Sequence, residues 1–167
     1  SCSDSTIEEG ETHAKGEPTE NALVEYANKL GMPKYKLTEE APRIGEAPFD
    51  SNRKMMSTVH KTKDGFVQYT KGACEILLDR CSGYLSENGV VPMTDKIKTE
   101  IKAKNKEFAD KALRVLGCSY RDYKEKPKNF EADNLEKDLI FIGFTGMIDP
   151  CRPEVYSAIE ECRKAGI

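Results

Sequence analysis

The sequence predicts an α/β fold, and three observations carry the prediction. Asp64-Gly65 and Asn88-Gly89 are two-residue hairpin signals, each flanked by residues of strand character. Across 66–71, Phe66, Gln68 and Thr70 alternate with Val67, Tyr69 and Lys71 in the period of a strand. Helical stripes lie outside that alternation: Leu23, Val24, Ala27 and Leu30 in one segment, Ile97, Ile101, Phe108 and Ala112 in another.

Size and charge narrow the function classes. A chain of 167 residues suits one domain with a short appended piece. With 38% hydrophobic and 33% charged residues it reads as a water-soluble globular chain. A net charge of -3 argues against non-specific nucleic-acid binding, which needs a basic footprint. No apolar run approaches the length of a membrane span, and no signal peptide is recognisable, so no membrane contact is expected. The six cysteines form no Cys-x-x-Cys pair and the only histidines are His13 and His60, so no metal site is expected. Reduced thiols are expected instead, with Cys118 in a strand and Cys81 and Cys162 on helices.

The elements follow in order. Residues 1–15 are polar and read as a loop. Gly16-Glu17-Pro18-Thr19-Glu20 opens a helix, with proline at a favoured first position and Glu20 where a carboxylate suits the helix dipole. Gly31 is its natural stop. Four breakers, Pro33, Pro42, Gly45 and Pro48, mark residues 32–48 as mostly connection. Phe49 to Ser57 begins turn-like and becomes a strand through His60; Phe49, between Pro48 and a polar run, reads either as a core ring or as an aromatic face offered to a planar base.

The stretch Tyr69 to Glu75 is central. Lys71 stands where a strand hands over to a short helix carrying Ile76, Leu77, Leu78 and Cys81. Lys71-Gly72 reads either as a surface lysine with a turn glycine or as an anion site, since Gly72 opens the backbone to a ligand and the helix start favours an anion. Beyond the second hairpin, Thr94 caps a helix reaching about Leu113, and Arg114 opens a strand over Val115 to Tyr120. A charged loop with Pro127 leads to Leu139-Ile140-Phe141-Ile142-Gly143-Phe144, an apolar run with the mark of a strand buried on both faces. A final helix from about Glu154 to Ala165 ends at Gly166. Neither a Walker motif nor a strand-to-helix Gly-x-Gly-x-x-Gly is present, so a P-loop or Rossmann fold has little support.

Five of these stretches, in order, resemble the nucleotide-binding domain of P-type cation-transporting ATPases, nearest the calcium-pump group. Gly16 to Glu20 is similar to that family's acidic Gly-Glu-(Pro/Ala)-Thr-Glu helix opening. Phe49 to Ser57 is similar to its Phe-Asp-Ser-x-Arg-Lys-Met-Met-Ser segment. Thr70 to Glu75 resembles Lys-Gly-Ala-Pro-Glu, with Cys74 in place of the usual proline. Ala112 to Leu116 resembles the Leu-Arg stretch, and Gly146 to Arg152 the Gly-Met-x-Asp-Pro-x-Arg hinge that returns to the phosphorylation domain.

The resemblance implies an antiparallel sheet of about six strands flanked by helices, with which the two hairpin signals agree. It divides the chain into a nucleotide-binding domain over 1–144 and a hinge return with the first part of a phosphorylation domain over 145–167. Phe49 would stack on adenine, and Glu20 would accept from the exocyclic amine or hold the pocket. Lys71 and Gly72 would line the pocket, Arg114 would reach the phosphates, and Arg53 and Lys54 would support the phosphate end. The implied cofactor is ATP, as Mg-ATP in the parent pump. The implied partners are ATP or ADP and the pump's phosphorylation and actuator domains, with this piece monomeric and on the cytoplasmic side of an integral membrane protein. No Asp-Lys-Thr-Gly-Thr nucleophile segment and no Mg-binding Thr-Gly-Asp segment occur, so no catalytic residue is assigned and the piece is expected not to hydrolyse ATP. The alternative is a regulatory or docking module of the same fold that binds no nucleotide.

Overall fold

Hairpin chemistry sets the centre of the sheet. In the computed structural model, which describes residues 2–148 and 152–167, strand β2 (Met55–Thr62) turns into β3 (Gly65–Gly72) through Lys63 and Asp64. Gly65 has φ of 146°, in the region that favours glycine. The second hairpin joins β4 (Cys81–Ser86) to β5 (Gly89–Pro92), with Gly89 at φ 102°.

Three further strands complete the sheet: β1 (Arg43–Asp50), β6 (Arg114–Tyr123) and β7 (Leu139–Met147). The order is β1-β2-β3-β6-β7-β4-β5. The expected sheet of about six antiparallel strands is corrected to seven, and β4 runs parallel to β7. The hairpins are local and announce themselves. The β4–β7 pairing joins distant segments through intervening helix and strand, so no turn signal marks it.

The helices are α1 (Pro18–Lys29), α2 (Lys34–Glu40), α3 (Cys74–Asp79), α4 (Asp95–Ala109), α5 (Ala132–Leu135) and α6 (Pro153–Lys164). One sheet face carries both apolar clusters. Met55, Cys81, Leu139 and Phe141 of the strands pack with Leu77 and Leu78 of α3, and Ala47 and Val59 pack with Leu135 of α5. Phe108 of α4 meets Phe144 of β7 edge-on at 5.2 Å, above Gly146, where an added Cβ would lie 2.8 Å from the Phe108 ring. The opposite face, bearing Tyr69, Lys71 and Cys118, is covered by α1, α2 and the N-terminal residues, which border one cavity with it.

Several local expectations are corrected. Residues 2–7 are a strap rather than a free loop: Ser3, Ser5 and Ile7 are buried, and Thr6 pairs with Lys15. The span 32–48 holds α2 and most of β1, an edge strand that tolerates Pro48. Cys81 begins β4 instead of ending α3, and α4 stops at Ala109, leaving Ala112 exposed at φ 57°. Strand β7 buries Leu139 and Phe141 but leaves Ile142 44% exposed, so it is not covered on both faces throughout. Asp149 and Cys151 of the hinge-like segment lie outside the described residues.

Candidate functional site

Strand alternation puts Lys71 on the face covered by α1. Lys71 pairs with Met56 of β2 on one side and Cys118 of β6 on the other, so those three residues form a row across the sheet. The lysine is 8% exposed, and its Nζ donates to Glu20 Oε1 on the first turn of α1. The other Glu20 oxygen accepts from Ser3 Oγ at 3.0 Å, the Asp4 amide at 2.6 Å and the Ser5 amide at 3.2 Å. Burial by itself would raise the Glu20 carboxyl. Hydrogen bonds from Lys71, Asp4 and Ser3, with the lysine's charge, outweigh that and lower it to about 2. Glu20 is therefore a fully ionised, heavily solicited carboxylate.

The strap that supplies those donors is itself held by two cations. Lys34 Nζ donates to the carbonyls of Ser3, at 2.7 Å, and Ser5. Arg43 Nη1 reaches Asp4 Oδ1 at 2.7 Å. Behind the ion pair lies a mostly apolar cavity of about 220 Å³, bordered by Leu23, Val24, Leu37, Tyr69, Cys2 and Cys118 among others. Burial pushes the Cys2 and Cys118 thiols up, so both are poor nucleophiles near neutral pH.

The remaining sequence candidates fall into two groups. Phe49, 63% exposed, precedes Asp50, the partner of Met55. Between Ala47, which pairs with Ser57, and Asp50 the β1–β2 register shifts by one residue, so Phe49 sits in a bulge at the end of the edge strand. Arg114 is exposed at the start of β6, and its Nη1 donates to Thr19 Oγ1, one residue before Glu20. Glu20, Lys71 and Arg114 are thus assembled around one end of one sheet face, while Phe49 stands exposed in the bulge at the end of β1.

Arg53, Lys54 and Gly72 are placed otherwise. The Asp50 side chain accepts the Asn52 and Arg53 amides, both at 2.9 Å, and folds 50–54 into a turn. Arg53 then pairs with the buried Glu136 and donates to the Pro48 carbonyl at 2.8 Å. Glu136 follows Leu135, on the face away from Lys71, so the Arg53 charge is already matched there. Lys54 is exposed at φ 53°, and its carbonyl accepts the Ala73 amide at 2.9 Å. The missing side chain of Gly72 serves the protein's own backbone: a Cβ there would lie 2.5 Å from the Lys54 carbonyl oxygen. Helix α3 likewise packs on the far face, over Gly117, so its start and Lys71 do not converge.

Sequence reasoning missed Ser3 and Lys34. One signal for Lys34 existed: it directly follows Pro33 and opens a helix, where a cation opposes the helix dipole. A lysine kept in that position has its partner elsewhere.

The chain is 39% identical over 99% of its length to "Calcium-transporting ATPase 1" of Lactococcus lactis, covering 19% of that protein. It is 43% identical over 91% of its length to "Calcium-transporting ATPase 1" of Bacillus cereus, covering 17% of it. "Calcium-transporting ATPase PAT1" of Dictyostelium discoideum is 36% identical over 91% of the chain, which covers 14% of it. The chain thus spans less than a fifth of the length of these relatives. Residues 1–154 match the family described as P-type ATPase, cytoplasmic domain N, and the chain belongs to that family.

Proposed function

We propose that this chain is the ATP-binding domain of an ATP-driven cation pump, with calcium the transported ion as in the names of its relatives. In this reading it presents the γ-phosphate of ATP to an aspartate of a phosphorylation domain outside residues 1–167. Residues 1–144 form the nucleotide-binding unit, and 145–167 return to that second domain. The observation that carries the reading is the buried Lys71–Glu20 pair at the start of α1, with Arg114 bonded to Thr19 beside it.

The residues fit the ligand's chemistry. Adenine stacks on Phe49, while Lys71 and Glu20 line the pocket and Arg114 meets the phosphates. Glu20 Oε2 already has three donors, so the adenine amine is received by Oε1, which among the described residues Lys71 alone occupies. Arg53 and Gly72 are left out of this arrangement because both are engaged on the other face.

The affinity follows from a short sum. A stacked base is worth roughly 1–3 kcal/mol, each charged hydrogen bond roughly 1.5–3, and association costs at least about 4. A dissociation constant on the order of 0.1–1 mM results. Weak binding suits a domain that delivers the γ-phosphate and then releases ADP. Little Mg dependence is expected, because the Mg ligands belong to the second domain.

ATP titration followed by amide shifts, with and without Mg, tests the proposal. Shifts at Phe49 and Lys71 in the millimolar range are expected, and Phe49→Ala should weaken binding by about fivefold or more while the chain stays folded. No shifts at several millimolar ATP would overturn it. The Glu20–Lys71 pairing, which already neutralises the lysine, would then favour a docking module that binds no nucleotide. ATP turnover above background by the isolated chain would contradict the assignment of the nucleophile to another domain.

A further inference from the structure

We propose that Lys34 is a positioning residue for the Glu20–Lys71 pair, acting through the Ser3–Asp4 peptide group that lies between them. The Ser3 carbonyl accepts from Lys34 Nζ at 2.7 Å, and the amide of the same peptide unit, on Asp4, donates to Glu20 Oε2 at 2.6 Å. One rigid plane therefore carries an ammonium on its oxygen and a carboxylate on its N–H. Charge on one side polarises the group and strengthens the bond on the other. A second grip on the Ser5 carbonyl keeps the strap in register, so that the Ser5 amide also reaches Glu20.

The chemistry of Lys34 itself calls for such a role. It opens α2, where its charge opposes the dipole. Burial lowers its pKa, and among the described residues no carboxylate lies within ion-pair distance. A methionine of similar length would fill the same space without that cost. The compensation lies across the peptide, in a carboxylate held low and aimed at Lys71. The groups facing Glu20 are Lys71 from β3, Asp4 of the strap with Arg43 of β1 on its side chain, and Lys34 from α2. Of these only Lys34 acts through the amides that Glu20 accepts. Glu20 then holds Lys71 in the geometry that, on the reading given above, meets ATP.

Titration of the Glu20 side-chain carbonyl carbon by NMR tests the proposal without ATP. In Lys34→Met the Glu20 midpoint should rise from about 2 by roughly half a pH unit or more. Lys34→Arg, whose fork can span both carbonyls, should restore it. Arg43→Gln, which releases only the Asp4 side chain, should shift it less. In parallel, the ATP dissociation constant should rise about threefold to tenfold in Lys34→Met and recover in Lys34→Arg. Should Lys34→Met not fold, the wild type gives the same reading: raising the pH until Lys34 deprotonates should move the Ser3 carbonyl carbon and Glu20 together. A Glu20 midpoint unchanged in folded Lys34→Met, or no common movement in the wild type, overturns the proposal. Failure of ATP binding in every variant, with the Glu20 shift present, sinks the nucleotide reading and leaves the positioning role standing.

Discussion

A buried ammonium and a buried carboxylate lose their partner on unequal terms, and the Glu20–Lys71 pair makes the inequality measurable. Removing Glu20 strands an ammonium that, among the described residues, hydrogen-bonds to that carboxylate alone. Removing Lys71 leaves Glu20 with three donors. Glu20→Ala should therefore cost about 1–3 kcal/mol, discounted from a fully buried pair for partial exposure, and lower Tm by roughly 3–10 °C. Lys71→Met should cost clearly less in the same melts; equal losses would refute the asymmetry. The pH profile has a definite sign. The folded carboxyl lies near 2 against an ordinary 4.5, so its stabilisation is complete above about 4.5 and disappears as pH falls towards 2. His60 runs on a higher window. Its Nδ1 donates to the Ala41 carbonyl at 2.9 Å, which makes Nε2 the acceptor of the Thr58 hydroxyl, also at 2.9 Å. Burial lowers its pKa from 6.5, so the unfolded chain takes up the proton first and stability falls as pH drops below about 6.5. Melts of wild type and His60→Gln between pH 7.5 and 5.5 should show a decline that the variant lacks.

Single-turn elements hold this fold where the sequence pattern is silent. Helix α5 spans four residues, too few to show a period, yet Leu135 is 0% exposed and its carbonyl accepts Gln68 Nε2 at 3.0 Å. Leu135→Ala should cost about 2–5 kcal/mol by chemical denaturation. A surface-like loss of under about 0.5 kcal/mol would show that α5 is not an anchor. Gly72→Ala should also destabilise, by about 1–3 kcal/mol, because the Lys54 carbonyl cannot yield as a flexible side chain would. These two residues show which parts of the fold were legible. The hairpins at Gly65 and Gly89 and the Thr94 cap, which accepts the Ile97 amide, are local chemistry and stand where the sequence put them. Leu135 and the parallel β4–β7 pair depend on partners far along the chain, so no window of sequence contains them. The site divides in the same way. Lys71 and Glu20 were marked by their own motifs, whereas Arg53 was claimed by Glu136, 83 residues on.

At the scale of the molecule, the site is a product of two layers meeting across the sheet, and α6 takes no share in either. Lys71 lies on β3, with β2 and β6 on either side, and its partners arrive from α1 and the strap above. Every described residue of α6 is exposed, including Val155, Tyr156 and Ile159. Twelve residues is short for a helix without tertiary support, since nucleation is costly and packing normally repays it. Hydrogen exchange should therefore find α6 amides unprotected while those of β2 and β3, paired on both sides, approach global protection. Deleting 149–167 should leave Tm within roughly 2 °C of the full chain and the Glu20–Lys71 signals unmoved. A larger fall in Tm, or strong protection in α6, would mean that this helix belongs to the same cooperative unit as the sheet. The boundary proposed near residue 144 would then have to move to the end of the chain.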